Sequence, residues 1–259
     1  RNVFFSSAEE AEKFIRNEKE IYSESSPECN SSPRLWKFIR EKNIDCVSIP
    51  HHVSDSVHPC DWSVSDEEIE PVVELFQCRG NAEYRGCPRE NNIIRTQTTH
   101  CDEAFVDYAL REKGIKLGFI ASGDHNAMGI GLAALWVKEV SRKGILEALR
   151  ARRCFGTTGD QIFLNVKVNN VFMGEVAKLN GAPGIEILTQ GQKEIERIEL
   201  LRNSRVIQTW KPDDENELFS VKYTDTHYAK EPDVLYYYVR VRQKDEHLAW
   251  SSPVFLEKE

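Results

Sequence analysis

A chain of 259 residues with 40% hydrophobic and 29% charged side chains has the make-up of a globular protein, with apolar material for one large core or two smaller ones. A formal net charge of -8 excludes a general nucleic-acid or anionic-membrane surface, because neutralising phosphates takes clustered Lys and Arg. No apolar run approaches the roughly 18 to 20 residues that span a bilayer, and the first residues lack the charged-then-apolar layout of a signal peptide.

Ser7 and Glu10 have the spacing of a capping box, and Ala8, Ala11, Phe14 and Ile15 recur at helical intervals, which predicts a first helix to about Tyr22. A polar stretch at 23–32 breaks it. Ser32 followed by Pro33 marks a second helix start, and Leu35, Trp36, Phe38 and Ile39 give it a buried side. Residues 44–49 read as a buried strand that ends in Pro50-His51-His52. Residues 71–77 read as another and run into Cys78-Arg79-Gly80. A helix over about 103–113, closed by Gly114, leads to a third strand at 115–121, which opens into Ser122-Gly123-Asp124-His125-Asn126. Strands alternating with helices predict an α/β unit with a largely parallel sheet or barrel over 1–160, whose ligands sit beyond the carboxyl ends of the strands. All three polar clusters fall at that edge.

Residues 133–140 read as a further strand, Ser141 caps a helix carrying Ile145, Leu146, Ala148 and Leu149, and 154–160 read as a glycine-rich turn. From Gln161 the helical period disappears. Short β-rich runs at 162–168, 185–189, 195–201, 219–223, 235–241 and 250–256 predict a small all-β sandwich over 161–259, with the domain boundary near Asp160.

Seven cysteines with no CxxC pair imply neither a closed disulfide framework nor a zinc ribbon, so a reducing, cytoplasmic compartment is the simpler expectation. The basic run Arg142, Lys143, Arg150, Arg152, Arg153 reads as a solvated helix face. The sequon at Asn30 doubles as part of a helix start. His100 beside Cys101 and His58 near Cys60 are weak as nucleophile or metal pairs, since sequence neighbours rarely face each other. Gly156-Thr157-Thr158-Gly159-Asp160 lacks the lysine of a phosphate-binding loop and precedes a β segment, so it reads as a tight turn between domains, with Asp160 and the Thr hydroxyls able to face the site.

The candidate chemistry lies at the strand ends. Imidazoles and carboxylates placed there can converge on a divalent cation while the sheet fixes their separation. His51, His52, Asp124 and His125 are so placed, and which of His51 and His52 points inward stays open. Glu74 sits inside its strand between Val73 and Leu75, where an unpaired carboxylate is costly to bury. Glu83, in the loop that follows, is a candidate ligand or general base.

The segments "SIPHH", "VVELFQCRGNAEY", "LGFIASGDHNAMGIG" and "ILEALRARRCFGTTGD", in that order, resemble the later motifs of an uncharacterised branch of the PHP (polymerase and histidinol phosphatase) superfamily, and the tail "YYYVRVRQKDEHLAWSSPVF" resembles the β-domain that ends such proteins. The resemblance implies a partial (β/α) barrel that holds zinc, manganese or iron and hydrolyses phosphoesters. Carried over by motif, His51, His52, Asp124 and His125 are metal ligands, with Glu74 and Glu83 between them. The opening His-x-His motif of that superfamily is absent before residue 44. Two functions follow as expectations: the C-terminal part of a metal-dependent hydrolase of unknown small-molecule substrate, or a non-catalytic binding module. Trp210, Tyr228 and Trp250 are candidate partner-facing aromatics in the second case, with core packing the competing account. Either way an incomplete barrel expects a missing N-terminal segment, a partner chain or a second copy to cover its edge.

Overall fold

Strand outweighs helix, 39% to 18%, in a computed structural model that describes residues 1–17, 31–55, 59–90, 102–125, 129–212, 218–231 and 234–258. The first element is a strand, β1 (Asn2–Phe5), and α1 (Ala8–Asn17) follows it. Ser7 Oγ caps the helix by accepting the Glu10 N–H at 3.2 Å. The Glu10 carboxylate does not return to Ser7 but accepts the Asp45 N–H at 2.8 Å, which ties the helix to the residue ahead of the next strand. The expected extension of α1 to Tyr22 lies outside the described residues. Helix α2 (Ser32–Glu41) has Ser31 as its N-cap and Pro33 in its first turn, and buries Leu35, Trp36, Phe38 and Ile39.

Strands β2 (Cys46–Ile49) and β3 (Val72–Gln77) are buried throughout. After the short β4 (Gly80–Asn81) and a 3-10 turn, α3 (Val106–Arg111) is shorter than the sequence pattern predicts, because Phe105 is extended and interrupts it. Strand β5 (Gly118–Ala121) runs parallel to β3, with a register irregularity between Glu74 and Phe76. β6 (Leu132–Leu135), α4 (Arg142–Arg150) and β7 (Cys154–Thr157) come next, and Ser141 Oγ caps α4 on Gly144 N at 3.1 Å. The predicted turn at 154–160 is thus half strand. Gly156 is required there, since a Cβ would lie 2.8 Å from the backbone of Ile120 and Ala121 in β5.

Ten strands complete the chain: β8 (Phe163–Val168), β9 (Val171–Phe172), β10 (Val176–Lys178), β11 (Gly184–Gln190), β12 (Ile195–Arg202), β13 (Arg205–Trp210), β14 (Phe219–Thr224), β15 (Val234–Gln243), β16 (Leu248–Ser251) and β17 (Val254–Glu257). An eight-stranded sheet has the order β10-β17-β15-β16-β7-β6, with β12 on the other side of β15 and β13 beyond β12. A four-stranded sheet, β14-β11-β8-β9, packs on one face of it, where Leu164, Val166, Ile185 and Ile187 meet Ile198, Leu235, Tyr237 and Val239. The opposite face carries Tyr236, Tyr238 and Trp250, which pack on Val73, Leu75, Leu117 and Phe119 of the β3–β5 layer. The eight-stranded sheet is therefore central, and strands from before and after Asp160 share it. Trp250 is core and not a partner surface, and Trp210 packs on Phe219 and Tyr223.

This arrangement corrects the expected α/β class. Only β3–β5 and β10–β17 are parallel pairs between named strands; the rest are antiparallel, and no (β/α) barrel forms among the described residues. The continuous apolar runs have another cause. In β3 and β5, Val72 and Ile120 face Leu146 and Leu149 of α4, while Val73, Leu75 and Phe119 face the central sheet. Burial on both faces removes the alternation that would have revealed an ordinary layered sheet. No helix among the described residues is long and apolar enough to cross a membrane.

Glu83 joins the layers. Its carboxylate, 2% exposed, accepts from Tyr238 Oη at 2.8 Å, from Arg240 Nη1 at 2.8 and 2.9 Å, and from Trp250 Nε1 at 2.8 Å. Arg240 Nε bonds Glu199 at 2.7 Å. Burial, followed by the Glu83 charge, pushes the Tyr238 hydroxyl well above its ordinary range and keeps it a donor. Removing one member of such a buried pair leaves a charge without compensation. Glu83→Ala is expected to lower the unfolding free energy by about 3–5 kcal/mol in urea titrations; a midpoint equal to that of the parent chain contradicts this role.

Candidate metal centre

The polar cluster forms where β2, β3 and β5 end. Pro50 follows β2 and its carbonyl accepts the Glu74 N–H at 3.3 Å, so the His51-His52 pair leaves the sheet beside the carboxylate of β3. Asp124 comes from the loop after β5. His52 (φ 56°) and Asp124 (φ 62°) both adopt the left-handed conformation, which turns the chain sharply at the two strand ends.

Glu74 organises the group. It is 3% exposed; its Oε2 lies 2.6 Å from His51 Nδ1 and accepts the His52 N–H at 3.3 Å, and its Oε1 accepts from Ser122 Oγ. With Nδ1–H given to Glu74, the His51 Nε2 lone pair faces Asp124 Oδ1 at 3.7 Å. His52 Nε2 lies 3.5 Å from Asp124 Oδ2, and the two imidazole centroids are 3.4 Å apart. Gln77 Nε2 bonds His52 Nδ1, and Gln77 Oε1 accepts the Arg79 N–H at 2.8 Å. Arg79 bridges outward, with Nη1 3.3 Å from Asp55 and Nη2 3.8 Å from Asp124.

His51, His52 and Asp124 offer ligand atoms that all lie within 4.8 Å of one another. Two ligands about 2.1 Å from one ion at a tetrahedral angle stand about 3.4 Å apart. The 3.7 Å from His51 Nε2 to Oδ1 and the 3.5 Å from His52 Nε2 to Oδ2 are each near that value, so one cation could be shared once the side chains draw in on it. Burial pushes the Asp124 carboxyl up, but the His125 backbone N–H at 2.7 Å and the surrounding imidazoles outweigh it and hold the group below its ordinary value.

Two expected site residues stand apart from this trio. Glu83 is not brought to the cluster; its carboxylate is occupied by Tyr238, Arg240 and Trp250, so the expected general-base role is corrected to a structural one. His125 is 83% exposed; its Nε2 lies 3.4 Å from Asp124 Oδ1, the oxygen that also faces His51, but it is not one of the three residues whose ligand atoms converge. Asp160 belongs to a second group with Asp245 and His247, where Gln243 Nε2 donates to both carboxylates at 2.7 and 3.0 Å. Gln77, Arg79, Ser122 and Asp55 are site residues that the sequence pattern did not single out; strand-end position was the available signal for Gln77 and Ser122. His58, His100 and Asn126 lie outside the described residues.

No family model matches the chain. It is similar to an uncharacterised protein of Chlamydia pneumoniae, 28% identical over 278 residues, which covers 96% of this chain and 44% of the relative. A second uncharacterised protein, from Chlamydia trachomatis, is 28% identical over 261 residues, 89% of this chain and 41% of the relative. The chain thus spans less than half the length of these relatives. Among solved structures, the CARDB domain of a Pyrococcus furiosus protein, in complex with di-metal ions, aligns with 38% of this chain and 93% of its own at 10% identity and a TM-score of 0.23. With no family model matching and a mostly β architecture, the expected membership of the polymerase and histidinol phosphatase superfamily is withdrawn.

Burial, then the neighbouring His51 ring and the Arg79 guanidinium, lowers His52 from 6.5 to about 4. His52 is therefore neutral at pH 7. Between pH 6.5 and 4 the unfolded chain binds the proton that the folded chain refuses, so this contribution to stability is whole above pH 6.5 and is lost as the pH falls toward 4. In metal-free protein, His52→Gln is expected to flatten the fall in urea midpoint between pH 7 and pH 4.5; a fall as steep as that of the parent chain contradicts the assignment.

Proposed function

We propose that His51, His52 and Asp124 bind one divalent cation, zinc, manganese or iron, and that the chain is part of a metal-dependent hydrolase acting on a phosphoester-like substrate. The observation that carries this reading is the convergence of three ligand atoms at strand ends with Glu74 behind one of them. Three protein ligands with a further position left for water or substrate is the usual make-up of a catalytic zinc site, where structural sites close with four.

When bound, such an ion supplies Lewis acidity and makes water a stronger acid near neutral pH. The protein's own groups do the rest. Glu74 orients His51 by bonding Nδ1, so that Nε2 is the nitrogen turned toward Asp124 and the ion. Gln77 holds His52 Nδ1 from the other side; turning its amide over would let Oε1 accept an Nδ1 proton and leave Nε2 for the ion, at the cost of the Oε1 bond to the Arg79 N–H. His125, 83% exposed with Nε2 3.4 Å from Asp124 Oδ1, borders the group at its solvent-exposed edge. The buried β3–β5 layer beneath these loops keeps the ligands at fixed separations.

Elemental analysis of purified protein that has not met chelator is expected to give about one zinc, manganese or iron per chain, lost in the His51→Ala, Asp124→Ala double variant. Glu74→Gln is expected to keep the fold and weaken the metal about 10–100-fold. Absence of metal from the parent chain rules out the hydrolase reading. Stoichiometric metal without turnover of phosphate mono- or diesters leaves a binding module instead.

A further inference from the structure

Asp124 is shared between two claimants. Its Oδ2 lies 3.5 Å from His52 Nε2, a ligand atom of the proposed cation, and 3.8 Å from Arg79 Nη2. The Asp124 side chain is 5% exposed, whereas Arg79 is 34% exposed and stands at the solvent edge of the cluster. The base of Arg79 is fixed by the Gln77 Oε1 bond to its backbone N–H, and Asp55, also 5% exposed, holds Nη1 from the far side. The guanidinium is thereby kept beside the cluster while its contact with Asp124 stays longer than a hydrogen bond.

We propose that Arg79 is the anion-recognising residue of this site and that cation binding switches it on. The inference rests on the divalent-cation reading above. A cation placed on Asp124 neutralises the charge that draws Arg79 inward and repels the guanidinium itself. Arg79 then presents its Nε and Nη2 donors, with Nη1 still held by Asp55, next to a second positive centre. Guanidinium geometry fits a tetrahedral oxyanion in bidentate fashion, and two cationic centres match a dianion better than a carboxylate monoanion. The ligand class is a phosphoryl group. Coupling of this kind is reciprocal, so the anion also tightens the cation.

Calorimetric titration with inorganic phosphate, in the presence and absence of manganese, tests the proposal, with acetate as the monoanion control. The parent chain is expected to bind phosphate about tenfold or more tighter with manganese than without, and acetate weakly in both. Arg79→Gln is expected to take up manganese at the same stoichiometry and to lose the gain in phosphate affinity. Arg79→Lys, which keeps the charge and loses the fork, is expected to fall between, and matching thermal midpoints show that both variants fold. Phosphate affinity that is unchanged by manganese, or that survives intact in Arg79→Gln, overturns the Arg79 assignment. Manganese uptake on the same samples separates the two readings: no uptake by the parent chain defeats both, and normal uptake with binding independent of Arg79 defeats only this one.

Discussion

A carboxylate taken out of water has to be met by donors, and this chain buries two within ten residues, Glu74 at 3% and Glu83 at 2% exposure. Each draws distant segments to itself. Glu83 collects a phenol, a guanidinium and an indole from β15 and β16, more than 150 residues onward in the chain, and so fixes the β3–β5 layer on the central sheet. Glu74 collects His51 from the end of β2 and Ser122 from the end of β5, and so fixes the loops that carry the candidate ligands. One glutamate positions the layer and the other positions the cluster upon it.

The chemistry of the cluster follows from that division. His52 and Asp124 hold backbone conformations that non-glycine residues seldom adopt, and each is tied down by its surroundings: His52 through its backbone N–H to Glu74 and its ring to Gln77, Asp124 through the His125 N–H. The imidazole of His52 is kept neutral, and the carboxylate of Asp124 is kept charged. The His52 imidazole and the His51 ring face the Asp124 carboxylate, with a second carboxylate behind His51, and together they form a donor set suited to a divalent cation.

Local signals were legible in the sequence where the cause is local. The Ser7 cap and Pro33 start helices within a residue of their expected places, and the strand runs of the second half match the alternating burial of β8 and β11. The strand-end rule placed His51, His52 and Asp124 in one neighbourhood. What escaped the sequence has long-range causes. β7 looks like a turn because its glycine serves a close crossing with β5, and its partner β16 lies over ninety residues away. Glu83 looked like a site residue because a loop glutamate gives no hint of donors in distant strands. The α/β reading failed for the same reason: β3 and β5 are buried on one face by α4 and on the other by a sheet built mostly from later residues. Arg79 lay in one of the strand-end clusters but carried no role there, Asp55 carries no pattern in the sequence, and the distances of Arg79 to Asp124 and to Asp55 mark the pair.

The most direct measurement is diffraction from crystals soaked in zinc or manganese, recorded at the absorption edge of the metal. One anomalous peak bonded to His51 Nε2 and an Asp124 oxygen at about 2.0–2.2 Å is expected, with His51 Nδ1 still on Glu74. A well-occupied peak elsewhere, with His51 and Asp124 unchanged and empty between them, would contradict it.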